Sequence, residues 1–139
     1  MINEVDILRQ LFGEVIIPEA VRWELSEKHS ELPSWIHVCS VQDKGLLILV
    51  AQTLDPGESE AVVLAKELHA DHLLMDERKG RRIAAKQGVP VIGLLGVILM
   101  ARKRNIIPSA RQIVERIDQE AGFYLSSQVK ETALKTVGE

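Results

Sequence analysis

Cysteine, aromatic residues and long apolar runs are what this chain has least of, and each shortage removes a class of protein. A single cysteine, Cys39, excludes an internal disulfide and a cysteine-rich zinc site. It is expected as a small buried residue in a strand. Aromatics make up only 4 % of the residues, so the core must be built from Leu, Ile, Val and Ala. The longest apolar stretch, Gly93 to Ala101, is far too short to cross a bilayer. The opening Met1-Ile2-Asn3-Glu4-Val5-Asp6 lacks the basic and then apolar pattern of a secretory signal. A soluble, cytoplasmic protein with no membrane partner is expected. Positive charge is also short: the net charge of −3 argues against a general nucleic-acid coat protein. It leaves room for an enzyme that meets nucleic acid through a local basic surface.

What is present is globular composition, 46 % hydrophobic and 27 % charged. The length suits one compact domain over residues 1–139. Val5, Ile7, Leu8, Leu11 and Phe12 recur at helical spacing, and Gly13 ends that helix. Val15-Ile16-Ile17 reads as a buried strand closed by Pro18, which begins a helix running to about His29. Trp35 to Val41 reads as a second strand. Leu46 to Ala51 is ambiguous, and its lack of turn signals favours helix. Asp55-Pro56-Gly57 is a turn, followed by a helix from Glu58 to His69. His72 to Met75 is a strand, Arg78 to Gln87 a helix ended by Gly88, and Val89 to Ile92 a strand. Helices are expected over Gly93–Arg104, Ser109–Ala121 and the tail from Ser126 to Val137. Short apolar strands alternating with helices imply an α/β fold with a parallel sheet covered on both faces.

Three acids stand out by position. Glu24 is spaced with Ala20 and Val21, which places it on the apolar face of its helix, where a charge is costly without a partner. Glu58 opens the next well-defined helix, and Asp76 ends a strand. Acids at a helix start and a strand end can converge at the edge of a parallel sheet. Converging carboxylates repel unless a proton or cation lies between them. A hard divalent cation such as Mg²⁺ is the usual answer, which points to a metal-dependent reaction on phosphates. Each acid also has an ordinary reading: Glu24 as a solvated or salt-bridged glutamate, Glu58 as a residue suited to the helix dipole, Asp76 as the N-cap of the helix at Arg78. Glu60 lies about 200° around the helix from Glu58 and is not expected to share its site. Glu77 is a reserve. The four histidines lack the spacing of a helical metal site and are read as non-catalytic. Arg78, Lys79, Arg81, Arg82 and Lys86 form one candidate basic surface and Arg102, Lys103 and Arg104 another. Both could equally be solvated helix surface.

Four ordered segments carry a resemblance. They are Pro18-Glu19-Ala20-Val21-Arg22-Trp23-Glu24-Leu25, Gly57 to Ala65, Leu73 to Arg82, and Val91-Ile92-Gly93-Leu94-Leu95-Gly96-Val97. Together they resemble a prokaryotic, PIN-like nucleic-acid-binding branch of the PIN-domain superfamily, over nearly the whole chain. The resemblance implies a three-layer α/β/α sandwich with a short parallel sheet. It also implies a Mg²⁺- or Mn²⁺-dependent endoribonuclease, in some members the toxin of a toxin–antitoxin pair. Glu24, Glu58 and Asp76 match three family acids that serve as catalytic and metal-binding groups. Arg78, Lys79, Arg81 and Arg82 would hold the RNA backbone.

One departure is serious. The family begins with a strand ending in Asp, and this chain starts in the helix that follows it. Asn3, Glu4 and Asp6 lie in the wrong element to replace that acid. The first strand normally lies mid-sheet, so its loss implies a gap or unpaired backbone edges. An upstream start, a second copy filling the gap, or an inactive form would each account for this, and an upstream start is favoured. Edge pairing makes a homodimer the expected assembly, and an antitoxin protein is a further candidate partner. The alternative to a nuclease is a catalytically degenerate module that binds nucleic acid or protein as a homodimer.

Overall fold

A computed structural model describes residues 4–27, 31–121 and 126–139. Their architecture is mixed α/β with parallel strand pairing. Internal contacts divide the chain into two compact units: Gly13–Gly93, and the residues up to Phe12 together with Leu94–Glu139.

The first unit is the α/β one. Strand β1 (Val15–Pro18) pairs in parallel with β2 (Ile36–Cys39), from Val15 opposite Ile36 to Pro18 opposite Cys39. Helix α2 (Glu19–Ser26) follows β1 directly, as a parallel crossover requires. A second parallel pair joins β3 (Leu73–Leu74) to β4 (Val91–Ile92), with α5 (Arg78–Lys86) as its crossover. Among the described residues the two ladders remain separate. By the alternation of a parallel ladder, Leu73 and Met75 donate toward β4, so the backbone groups of Leu74 face away from it. Ile16 stands in the same relation to β2. Parallel strands are normally buried on both faces, yet Ile16 and Leu74 are both exposed. Among the described residues each of the four strands is paired on one side only.

Helix α4 (Pro56–Glu67) organises this unit, packing on α2, on α3 (Lys44–Val50), on α5 and on β1 and β3. Val62 and Val63 are fully buried in a core shared with Val41, Val50, Leu54, Leu73, Met75 and Val89. The N-terminus of α4 is set by Asp55, whose side chain accepts from Glu58 N at 2.8 Å, with Pro56 in the first turn. The helix stops at Glu67, short of the expected His69, because His69 takes a left-handed conformation (φ 50°) and Ala70 N turns back to Ala65 O. Gly88 (φ 75°) ends α5 the same way, with Val89 N donating to Ala84 O. The Leu46–Ala51 segment is helical, as its composition favours, capped by Asp43. Glu67 steadies that cap by accepting from Gln42 N and Asp43 N at 2.9 and 2.6 Å. Cys39 is only partly buried.

The second unit is helical. Helix α1 (Glu4–Phe12) packs on α6 (Leu94–Lys103), α6 on α7 (Ala110–Ala121), and α7 on α8 (Ser127–Lys135). Ile7, Leu11, Val97, Ile98, Ile107, Ile113, Val114 and Leu134 are buried. Ser126 caps α8 by accepting from Val129 N at 3.1 Å. Arg111 pairs with Glu131, and Lys130 with Asp118. No helix among the described residues is long and apolar enough to cross a membrane.

Candidate functional site

Glu24, Asp55 and Glu58 lie at or beside the N-terminus of α4, and Asp76 and Arg81 lie at Gly93. Helix α2 brings Glu24 to α4. A Cβ built on Gly57 would fall 2.5 Å from Glu24 Oε1 and 3.3 Å from Oε2, so the carboxylate occupies the space this buried glycine leaves open. Any side chain at Gly57 would push Glu24 away. The expectation that Glu24 lies on a buried apolar face is corrected: α2 buries no residue, and Glu24 is exposed. Its helix is too short and too charged to sink into the core, so the carboxylate reaches α4 along the surface.

Glu58 follows Gly57. Burial raises its carboxyl above the ordinary glutamate value, as do a hydrogen bond with the Asp55 side chain and the negative charges of Asp55 and Glu77. Asp55 is thereby doubly engaged, since its carboxylate also accepts from Glu58 N. Sequence reasoning read Asp55 only as a turn residue. Its offset of three from Glu58 is that of a capping box, the one signal that could have shown the two carboxyls meeting. Glu77 moves from reserve to neighbour, because its charge is felt at Glu58.

Asp76 lies beside Glu77 at the end of β3. It does not cap α5: the N-cap there is Glu77, with no side-chain cap bond. Asp76 Oδ1 instead lies 2.9 Å, and Arg81 Nη1 3.2 Å, from where Gly93 would carry a Cβ. The carboxylate and the guanidinium thus both border a backbone with no side chain. Glu60 is accounted for structurally, accepting from Ala20 N at 3.2 Å at the start of α2. Ser59 is fully buried and donates to Leu54 O at 3.1 Å, which makes it a packing residue.

The basic residues separate into two groups. On α5, Gly80 and Ala84 face the core, while Arg78, Lys79, Arg81, Arg82 and Lys86 are exposed. Among the described residues none of the ion pairs involves them. The second basic run is partly consumed by folding. Arg102 Nε lies 3.3 Å from Glu139 Oε2, a charge pairing without hydrogen-bond geometry, and Arg104 donates to Leu11 O at 3.4 Å. Of the histidines, His37 approaches Glu14 at 3.7 Å on the surface, and His29 falls outside the described residues.

Whether a divalent ion suits these acids depends on two observations. The donors are carboxylates, the hard oxygen ligands that Mg²⁺ and Mn²⁺ take. Burial first, then the Asp55 hydrogen bond and the negative charges of Asp55 and Glu77, hold the Glu58 carboxyl up, and an added cation would relieve the charge repulsion. The arrangement is nevertheless open: among the described residues, no three His, Cys, Asp or Glu side chains are gathered closely enough to hold a metal ion. Glu24 lies against Gly57 at the start of α4, while the charges that act on Glu58 are those of Asp55 and Glu77, and Asp76 lies at Gly93.

No curated protein and no solved structure matches the chain. A family model does, over residues 1–139, and it describes DUF3368, a PIN domain. With four ordered motifs, parallel βαβ units and acids at a strand end and a helix start, the chain belongs to this family of PIN domains.

Proposed function

We propose that this PIN domain is a metal-dependent endoribonuclease. Glu24, Glu58 and Asp76 would hold one or two Mg²⁺ or Mn²⁺ ions, and Glu77 would add negative charge beside them. Bound there, the metal supplies an activated water and stabilises the leaving oxygen of a phosphodiester. The chain's own part is positional. Gly57 leaves room for the Glu24 carboxylate, and Gly93 leaves room for Asp76 beside Arg81. Arg78, Lys79, Arg81 and Arg82 present an exposed cationic face to the phosphate backbone.

The observation that carries this reading is the set of carboxylates at the start of α4, Glu24 against Gly57 and Asp55 accepting from Glu58 N, with burial, Asp55 and Glu77 raising the Glu58 carboxyl. Such crowding lowers stability, and chains keep it where charge is needed for a ligand. The test is RNA cleavage titrated with Mg²⁺ and Mn²⁺, in the wild type and in Asp76→Asn. Metal-dependent cleavage lost in Asp76→Asn is expected. Cleavage under neither metal, or cleavage indifferent to the substitution, would overturn the reading. A role as the toxin of a toxin–antitoxin pair belongs to the same proposal. It predicts growth arrest on expression, relieved by co-expression of an antitoxin protein.

A second reading rests on the open strand edges. Ile16 and Leu74 stand exposed on β1 and β3, each strand paired on one side only among the described residues. Unpaired edges with apolar side chains invite another chain, which favours a homodimeric binding module. Salt-sensitive RNA binding without turnover, by a dimer in sedimentation, would support it. A monomer that cleaves RNA would remove it.

A further inference from the structure

Helix α2 carries Glu24 to α4, yet little within α2 holds it there. Its eight residues, Glu19–Ser26, bury no side chain. Its N-cap is Pro18, which has no hydroxyl or carboxylate to offer, and no side-chain cap bond forms. The first N–H groups of a helix need acceptors from elsewhere. For Ala20 N that acceptor is the Glu60 carboxylate of α4, 3.2 Å away and 40 positions along the chain. A carboxylate accepting from a backbone N–H at a helix start is among the stronger hydrogen bonds, and it suits the helix dipole. Gly57 and Glu60 are three apart on α4 and so share a face. On that face Gly57 receives the Glu24 carboxylate, and Glu60 holds the first turn of α2. The two contacts run in antiparallel order, Ala20 with Glu60 and Glu24 with Gly57. They are spaced about 4.5 Å along α4 and about 6 Å along α2, given the rise per helical residue. A single contact leaves a helix free to turn about it. Two contacts about one turn apart fix both its rotation and its register.

We propose that Glu60 is a positioning residue: by holding Ala20 N it sets how α2 lies on α4, and so places the Glu24 carboxylate at Gly57. The inference deepens the nuclease reading and rests on it for the consequence at the metal, while the placement itself needs no metal. Glu58 and Glu60 thus divide the work of one helix start. Glu58 stands among the acids of the site, and Glu60, about 200° around the helix, reaches α2 instead. The run Gly57-Glu58-Ser59-Glu60 thereby supplies a glycine that receives a carboxylate, a carboxylate of the site, and the group that aligns the neighbouring helix.

The experiment compares the wild type with Glu24→Gln, Glu60→Ala, Glu60→Gln, Glu60→Asp and the double variant Glu24→Gln/Glu60→Ala. Glu60→Ala removes the acceptor and keeps α4 helical, since alanine is the best helix former. Glu60→Gln retains an acceptor oxygen and loses only the charge. Glu60→Asp keeps the charge and draws it back by one methylene, and it stands in for Glu60→Ala if that variant unfolds. In the metal-free protein, a nuclear Overhauser cross-peak between Gly57 Hα and the Glu24 side chain reads the placement directly. The cross-peak is expected in the wild type, lost in Glu60→Ala and Glu60→Asp, and restored in Glu60→Gln. Free Mn²⁺ measured by electron paramagnetic resonance then gives metal affinity. About tenfold weaker binding is expected in Glu60→Ala, as for loss of a group that orients a ligand. The double variant should bind as Glu24→Gln alone does, because Glu60 acts through Glu24. A cross-peak of wild-type intensity in Glu60→Ala and Glu60→Asp would overturn the proposal. So would a further loss of Mn²⁺ affinity in the double variant, which would make Glu60 a ligand or a general support of the fold. A cross-peak that follows Glu60 in a chain that neither binds Mn²⁺ nor cleaves RNA keeps this inference and removes the nuclease. Mn²⁺-dependent cleavage with the cross-peak unaltered in Glu60→Ala removes this inference and keeps the nuclease.

Discussion

Two glutamates sit at helix N-termini, one in each compact unit, and their carboxyls move in opposite directions. At the start of α7, burial tends to raise the Glu139 carboxyl, but donors outweigh it. Ala110 N, the Ser109 hydroxyl and Arg111 N hydrogen-bond to it, and Arg102 adds positive charge, so Glu139 ends below the ordinary value. At the start of α4, burial again raises Glu58, and what surrounds it is Asp55 and Glu77. One carboxylate is provided with everything that stabilises an anion. The other is placed among its own kind. The cations follow the same division: Arg102 and Arg104 are engaged within the helical unit, while the arginines of α5 face solvent. The helical unit surrounds the Glu139 carboxylate with donors, whereas in the α/β unit Glu60 and Glu67 accept from backbone N–H groups and Glu58 is left beside like charges. Charge held open at a structural cost is what a ligand site looks like before the ligand arrives.

The sharpest way to break this contrast is Glu58→Gln. Cleavage should fall by on the order of a hundredfold or more, as for loss of an electrostatic group at a reacting centre. Stability at pH 7 should rise, because removing a carboxylate from like charges relieves repulsion. The sign follows from linkage. A folded-state value above the ordinary 4.5 means that the folded chain holds a proton the unfolded chain has released. The wild type therefore loses stability as pH rises from the unfolded value through the folded one, and the melting advantage of Glu58→Gln should vanish below that window. Mg²⁺ should raise the wild-type melting temperature and leave Glu58→Gln unmoved. An advantage constant across pH would mean that the like charges are not its source.

The second variant, Glu139→Gln, should do the reverse. It keeps the shape and one acceptor oxygen but loses the charge that Ala110, Ser109, Arg111 and Arg102 surround. A loss of about 1 kcal/mol is expected, the usual worth of a helix-capping acceptor. Glu139 sits below its ordinary value, so its contribution is present above the unfolded value and fades as pH falls through the folded one. Urea melts at pH 7 and at pH 3 should show the deficit of Glu139→Gln shrinking at the lower pH. RNA cleavage should be unchanged. A matching loss of cleavage would erase the distinction between the two units.

Much of this was legible in the chain. Val15-Ile16-Ile17 and Leu73-Leu74 form strands and Asp55-Pro56 starts a helix, because β-branched runs and turn residues act locally. The parallel pairing expected of alternating strands and helices is seen in both ladders, β1 with β2 and β3 with β4. What was not legible depends on tertiary placement. The face of α2 was misjudged because Ala20 and Val21 were read as a stripe in an eight-residue helix that buries nothing. Asp76 was open to reading as a cap, and only the backbone shows Glu77 in that place. The proximity of Glu58 and Glu77, 19 positions apart in the chain, follows from α4 packing on α5, which no local pattern encodes. The two basic runs look alike as strings, and only their partners separate them.

The smallest expected effect concerns two glycines in the same unit that oppose different kinds of neighbour. At Gly57 an added Cβ would meet the end of a flexible, exposed side chain, Glu24 Oε1 at 2.5 Å. At Gly80 it would meet Met75 Sδ at 2.6 Å, with Met75 itself buried. Gly57→Ala should therefore leave stability unchanged or slightly raised, since alanine is the better helix former by up to about 1 kcal/mol. The displaced Glu24 carboxylate should lower cleavage by on the order of tenfold, a displacement effect of the kind that small misplacements produce. Gly80→Ala should act the other way, lowering the melting temperature through overpacking that costs about 1–3 kcal/mol. Its cleavage at temperatures where it stays folded should be near normal. The pair separates a glycine that makes room for chemistry from one that makes room for the core. If Gly57→Ala cleaves RNA at the wild-type rate, the carboxylate it displaces takes no part in the reaction, and Glu24 leaves the site.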